Sequence, residues 1–119
     1  MAIKDYKDLT AWQKAMQLAV EVYRLTRLLP KEESFGLIGQ LRRAAASVPS
    51  NIAEGYGRAS TVEYARFLKI ARGSLYELET QLYLCNALEY LDREAAVYAF
   101  SLSAEVGRML NTMLRHLNK

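Results

Sequence analysis

At 119 residues, with a net charge of +3 from 16 Lys and Arg against 13 Asp and Glu and a pI near 9.1, the chain is too mildly basic for charge alone to declare a nucleic-acid binder. Hydrophobic residues at 51% and charged residues at 24% exclude a disordered or low-complexity chain and suit one globular domain over residues 1–119. The lone Cys85 rules out an intrachain disulfide framework; with no signal-like N-terminus and no apolar run of bilayer length, the expectation is a cytoplasmic protein with no membrane association.

The first predicted helix covers about residues 10–29. Thr10-Ala-Trp-Gln13 has the form of a capping box, with Asp8 as an alternative cap. Trp12, Met16, Ala19, Tyr23 and Thr26 alternate four and three apart as a bundle seam, widened by Ala15, Val22 and Leu29, and Pro30 stops the helix. A second helix is predicted over about 34–56, with Leu37, Leu41, Ala44, Val48 and Ile52 as its apolar stripe. Pro49 has no N–H for the carbonyl of Ala45, so a kink or break is expected there, and Ser47, Ser50 and Asn51 are short polar side chains able to serve the freed backbone groups. Gly55 and Gly57 are read as its end.

The third helix, about 60–90, opens on the capping box Ser60-Thr-Val-Glu63 and carries the heptad seam Tyr64, Leu68, Ala71, Leu75, Leu78, Leu82 and Cys85. The fourth, about 93–117, starts after Asp92 with the seam Ala96, Phe100, Ser103, Gly107, Leu110, Leu114 and Leu117. No strand pattern and no internal repeat interrupts this order. The fold class is therefore all-α: an up-down-up-down antiparallel four-helix bundle with a kinked second helix. Gly36, Gly39, Gly73 and Gly107 are expected to permit close helix packing, and Trp12 to anchor the core near the first turn.

Helix three carries apolar residues on a second face. Ile70, Tyr76, Tyr83, Leu84 and Tyr90, with Leu91, lie opposite its seam, and helix four adds Leu102, Met109 and Met113 outside its own. A broad core with amphipathic tyrosines at its edge would account for them; so would a self-association surface.

The basic side chains are the main candidates for chemistry. Arg66, Lys69 and Arg72 occupy the early turns of helix three and Glu77, Glu79 and Glu89 follow, the reverse of what the helix dipole favours. Arg42, Arg43 and Arg58 flank the second helix. Converging, the six would form a zone able to track phosphates; apart, they would pair with Glu54 and Glu63 or lie solvated. The polar stripe Gln40, Arg43, Ser47, Asn51, Glu54 and Arg58 lacks a histidine beside its serine, since His116 is at the far C-terminus, so catalytic residues are expected to be none. One Cys and one His, without a Glu-x-x-His motif, make neither a zinc nor a di-iron site, so no metal and no cofactor is expected.

The runs Gln40-Leu-Arg-Arg-Ala-Ala45 and Ser50-Asn-Ile-Ala-Glu-Gly-Tyr-Gly-Arg58 resemble the family of four-helix-bundle proteins encoded in intervening sequences of bacterial 23S ribosomal RNA genes. Asp8-Leu-Thr-Ala-Trp-Gln-Lys-Ala15 is similar to that family's opening, and Phe67-Leu68 with Ala71-Arg-Gly-Ser-Leu-Tyr-Glu-Leu-Glu79 to its third helix. The resemblance spans about residues 6–91, and the last helix matches in pattern only. It implies a homopentamer, and a genomic association that makes RNA or DNA a plausible partner. A related branch of bundle proteins serves retroelement reverse transcriptases as accessory subunits. The leading expectation is thus a non-enzymatic homo-oligomer binding nucleic acid through a basic surface. The alternative is a structural or adaptor oligomer that binds another protein, such as a reverse transcriptase, without a nucleic-acid role.

Overall fold

The computed structural model describes residues 2–118. Four helices carry the fold: α1 Thr10–Thr26, α2 Leu37–Tyr56, α3 Thr61–Ala87 and α4 Arg93–Leu117, with no strand among the described residues. Each packs on its neighbours in the chain and α1 closes against α4, while the diagonal pairs make no close approach. Only residues 57–60 separate α2 from α3, far too short to recross a 20-residue helix that is about 30 Å long, so the two run antiparallel. Cross-helix bonds repeat the pattern. Glu33, before α2, meets Tyr90, after α3, and Ser47 meets Ser74. Arg72 and Glu79 of α3 meet Asn111 and Ser103 of α4 in reverse order.

The interior is mostly leucine. Leu18 and Leu25 of α1, Leu41 and Ile52 of α2, Leu68, Leu75, Leu78 and Leu82 of α3, and Leu102 and Leu110 of α4 are fully buried. Each stabilises the fold by about 1.5–3 kcal/mol relative to an exposed side chain. The α3 heptad from Leu68 to Cys85 lies wholly inside. Burial pushes the Cys85 thiol up to about 11, with the Glu33 charge adding to it, which leaves the thiol protonated and unreactive.

Several expectations are corrected. Of the α1 seam, Ala19 and Thr26 are buried together with the flanking Ala15, Val22 and Leu29, but Met16 and Tyr23 are each 39% exposed, and Ala11, Leu18 and Leu25 take the core instead. Two apolar stripes compete on this helix, and the leucine-bearing one buries more area and takes the core. In α4, Leu102 is core, joined by Ala99 and Val106, and Met109 and Met113 pack half-buried beside it. Thr10 caps nothing: Leu9 holds the N-cap position, and the capping box is formed earlier by Asp5 and Asp8 around a 3-10 turn, Tyr6–Asp8. Trp12, by contrast, does pack half-buried against the core near the first turn, edge-on to Tyr6 with centroids 5.3 Å apart.

Helix ends differ for local reasons. α1 stops at Thr26 and continues to Leu29 through tight turns whose N–H groups reach back three residues, because Pro30 disfavours helical backbone just before it. Lys31–Glu33 forms a separate 3-10 turn, and α2 begins at Leu37, whose N–H donates to the Glu33 carboxylate at 3.2 Å. α2 then runs uninterrupted through Pro49, so the chain does not break there. Asn51 Nδ2 donates to the Ser47 carbonyl and hydroxyl in the adjoining turn, at 2.8 and 2.9 Å.

α3 ends at Ala87, so Tyr90 lies outside it. The Tyr90 N–H bonds the Cys85 carbonyl and the Glu89 N–H that of Asn86, closing a Schellman turn with Glu89 at φ 64°. A side chain in that left-handed conformation costs about 1 kcal/mol relative to glycine. Glu89→Gly is therefore expected to raise stability by roughly 1 kcal/mol in a urea titration monitored by circular dichroism. An unchanged or lower midpoint would mean that the turn has another geometry.

Candidate nucleic-acid interface

The six cations singled out in the sequence do not gather in one zone. Arg42 faces α1: its Nε donates to Thr26 Oγ1 at 2.9 Å and its guanidinium lies 4.8 Å from the Tyr23 ring centroid. Arg43 lines a polar groove between α2 and α3 with Gln40, Ser47, Ser74 and Glu77. Both are thus removed from the other four. Arg58 and Arg66 are brought together, each stacked on Phe67 at 4.8 and 4.6 Å. Each is also tied to a carboxylate, Arg58 to Glu54 at 2.7 Å and Arg66 to Glu63 at 3.0 Å. The Arg66 hydrogen bond holds Glu63 below the usual carboxylate range, and Glu63 in turn raises Arg66. Lys69 is exposed and makes no ion pair among the described residues. Arg72 bridges helices, its Nη1 donating to Asn111 Oδ1 at 2.9 Å.

That last bond identifies two cations that the sequence reading missed. Asn111 sits between Arg108 and Arg115, seven residues apart on one side of α4 and both exposed. Antiparallel packing sets this C-terminal half of α4 beside the N-terminal half of α3. Lys69, Arg72, Arg108 and Arg115 therefore lie on α3 and α4 at one end of the bundle, whereas Arg66 turns toward Arg58 and α2 over Phe67. The carboxylates of that half are spoken for: Glu63 by Arg66, and Glu105 by Lys14 of α1 at 3.5 Å. The other half of α3 and α4, with the turn between them, holds Glu77, Glu79, Glu89, Asp92 and Glu94 against Arg93. The α3–α4 pair is therefore electrically polar along its length, positive at one end and negative at the other. The signal was present in the sequence as Arg108 and Arg115 at helical spacing, but it needed the antiparallel partner to acquire meaning.

The polar stripe of α2 serves packing between helices. Ser47 and Ser74 share a hydrogen bond of 2.8 Å, and among the described residues neither bonds Glu77, the carboxylate that lines the same groove. His116, the one histidine, is exposed near the C-terminus. Among the described residues no His, Cys, Asp and Glu group is disposed to hold a metal ion, and no helix is long and apolar enough to cross a membrane.

On the outer face of α3, Ile70, Tyr76, Tyr83 and Leu84 are exposed. Tyr90 is not on that face. It is half-buried past the helix end, its hydroxyl donating to Glu33 at 2.8 Å, which raises the phenol above its ordinary range. A further apolar patch, unforeseen because the α1 seam was misplaced, joins Met16, Val20 and Tyr98 between α1 and α4.

Fold and surface together define a class: a four-helix bundle with charge segregated along one face and exposed apolar side chains on two others. The family model described as 23S rRNA-intervening sequence protein matches residues 7–112, and the chain belongs to that family. Among solved structures it is similar to a protein of unknown function from the S23 ribosomal protein family of Bacteroides thetaiotaomicron, with 25% identity and a TM-score of 0.82 over 88% of this chain and 98% of that one. No functionally curated protein matches it.

Proposed function

We propose that this chain is a non-enzymatic, self-associating helical protein that binds RNA or DNA by phosphate contacts on the basic half of its α3–α4 face. The observation that carries this reading is the segregation of Lys69, Arg72, Arg108 and Arg115 from the acidic half of the same two helices. A bundle stabilised only by local pairing has no need to separate its charges in this way. Cations on neighbouring helices suit the regularly spaced phosphates of a nucleic-acid backbone, and such contacts set position without reading sequence. The family's association with a 23S rRNA intervening sequence supports the same partner class. The test is a gel-shift titration with a structured RNA hairpin and a DNA duplex, comparing the wild-type chain with the Lys69→Glu, Arg108→Glu, Arg115→Glu triple variant. Binding by the wild type and its loss in the triple variant support the proposal; equal binding sinks it.

Self-association rests on the exposed Tyr76, Tyr83 and Leu84, which exceed what a solitary surface helix presents. The closed homopentamer implied by resemblance is one arrangement that would cover them. A second reading, an adaptor for another protein, is favoured by the separate Met16, Val20 and Tyr98 patch, which phosphate binding does not use. Absence of RNA and DNA binding even at low salt would shift the assignment there.

A further inference from the structure

The end of the bundle opposite the basic zone carries both an exposed aromatic knob and an aromatic-walled cleft. Phe35, in the connection between α1 and α2, is 102% exposed and touches almost nothing of its own chain, with Leu28 of the same connection also exposed. A fully hydrated phenylalanine at a turn is costly to maintain and is the kind of side chain that anchors an interface. The cleft, of about 860 Å³, opens where α3 turns into α4. Tyr83 and Phe100 line it with ring centroids 4.6 Å apart, together with Ala87, Leu91 and Val97. Asn86 also lines it and holds a buried Oδ1 with no donor among the described residues.

We infer that this cleft receives Phe35 from a second copy of the chain. The inference rests on the self-association proposed above and names the contact that makes it. The Tyr90–Glu33 hydrogen bond fastens the α3–α4 turn to the α1–α2 connection, so knob and cleft lie at the same height along the bundle. A neighbour rotated about an axis parallel to the helices therefore brings its Phe35 level with the cleft. Knob and cleft belong to different parts of the surface, so each copy gives one and receives one. Such a head-to-tail contact closes into a ring when the rotation permits. The incoming ring packs against Tyr83 and Phe100, and a backbone N–H of the incoming turn satisfies Asn86 Oδ1.

Light scattering after size exclusion tests this with Phe35→Ala and Val97→Arg, each measured alone and then mixed one to one. Both positions are exposed, so helix content by circular dichroism should match the wild type. The wild type is expected to be a multimer and each variant alone to fall to monomer mass. The mixture should recover a dimer, because Phe35→Ala keeps its cleft and Val97→Arg keeps its Phe35. Phe35→Ala at wild-type mass overturns the inference and leaves self-association standing. Monomeric variants that stay monomeric when mixed overturn the pairing of knob and cleft. A monomeric wild type overturns the self-association itself.

Discussion

Gly55→Ala is expected to lower the thermal midpoint by several degrees, and Gly73→Ala to raise it, although both replace a glycine inside a helix by the best helix former. A Cβ at Gly55 would lie 2.8 Å from the Phe67 Cβ, 3.1 Å from a Tyr64 ring carbon and 3.3 Å from the Tyr64 carbonyl oxygen. Two of those atoms belong to or adjoin the α3 backbone and cannot swing away, so α2 and α3 must separate where they meet the turn. Overpacking of this kind costs about 1–3 kcal/mol, against a helix-propensity gain of about 1 kcal/mol. The net loss, up to about 2 kcal/mol, corresponds to a fall of about 4 °C per kcal/mol. At Gly73 nothing lies within 4 Å of the added methyl, so only the propensity gain of about 1 kcal/mol remains. Calorimetry on the two variants checks the pair. A neutral or stabilising Gly55→Ala would mean that the helices do not approach as closely as described.

The second large effect is on binding. Reversing Lys69, Arg108 and Arg115 together is expected to weaken RNA affinity at least a hundredfold, taking each lost charge-assisted contact at about 1–2 kcal/mol. All three are exposed and none forms an ion pair among the described residues, so circular dichroism and thermal midpoint should change little. Arg66 and Arg72 are poorer targets, because reversing Arg66 faces Glu63 with a like charge and reversing Arg72 breaks the bridge to Asn111. Arg27→Glu with Lys31→Glu, exposed near the α1–α2 connection, reverses two charges, against three in the triple variant, at a distant site and is the control for general charge. It should leave affinity nearly unchanged. An equal loss in the control would reduce the effect to general charge, and no loss in the triple variant would remove the assigned face.

What could be read from the sequence divides along a physical line. The α3 seam from Leu68 to Cys85 and the caps Ser60 and Asp92 were readable because a heptad of large apolar residues and a side-chain cap are local signals with one good solution. On α1 the pattern is legible only in part: Ala15, Ala19, Val22, Thr26 and Leu29 are covered, but Leu18 and Leu25 rather than Met16 and Tyr23 fill the core, and only the neighbouring helices decide between those pairs. Glycines are legible only in part: Gly57 caps α2 and Gly107 packs on Leu75 of α3, but Gly55, beside the helix end, is itself a close-packing position, and Gly73 faces open space. The candidate interface was half visible. Arg66, Lys69 and Arg72 stood out as a basic run against the helix dipole, whereas Arg108 and Arg115 gained significance only through the bond from Arg72 to Asn111. Arg42 looked equivalent by type, but its position in the bundle turns it toward Thr26 and Tyr23.

Phosphate binding by the proposed basic half of the α3–α4 face has its plainest signature in the affinity of the wild-type chain for a structured RNA across a salt series. With about four phosphate contacts, affinity should fall by roughly a hundredfold between 50 and 200 mM salt, and the triple variant should show a much shallower dependence. An affinity independent of salt, or no binding at the lowest salt, would contradict the claim and leave the exposed apolar surfaces to define what this bundle recognises.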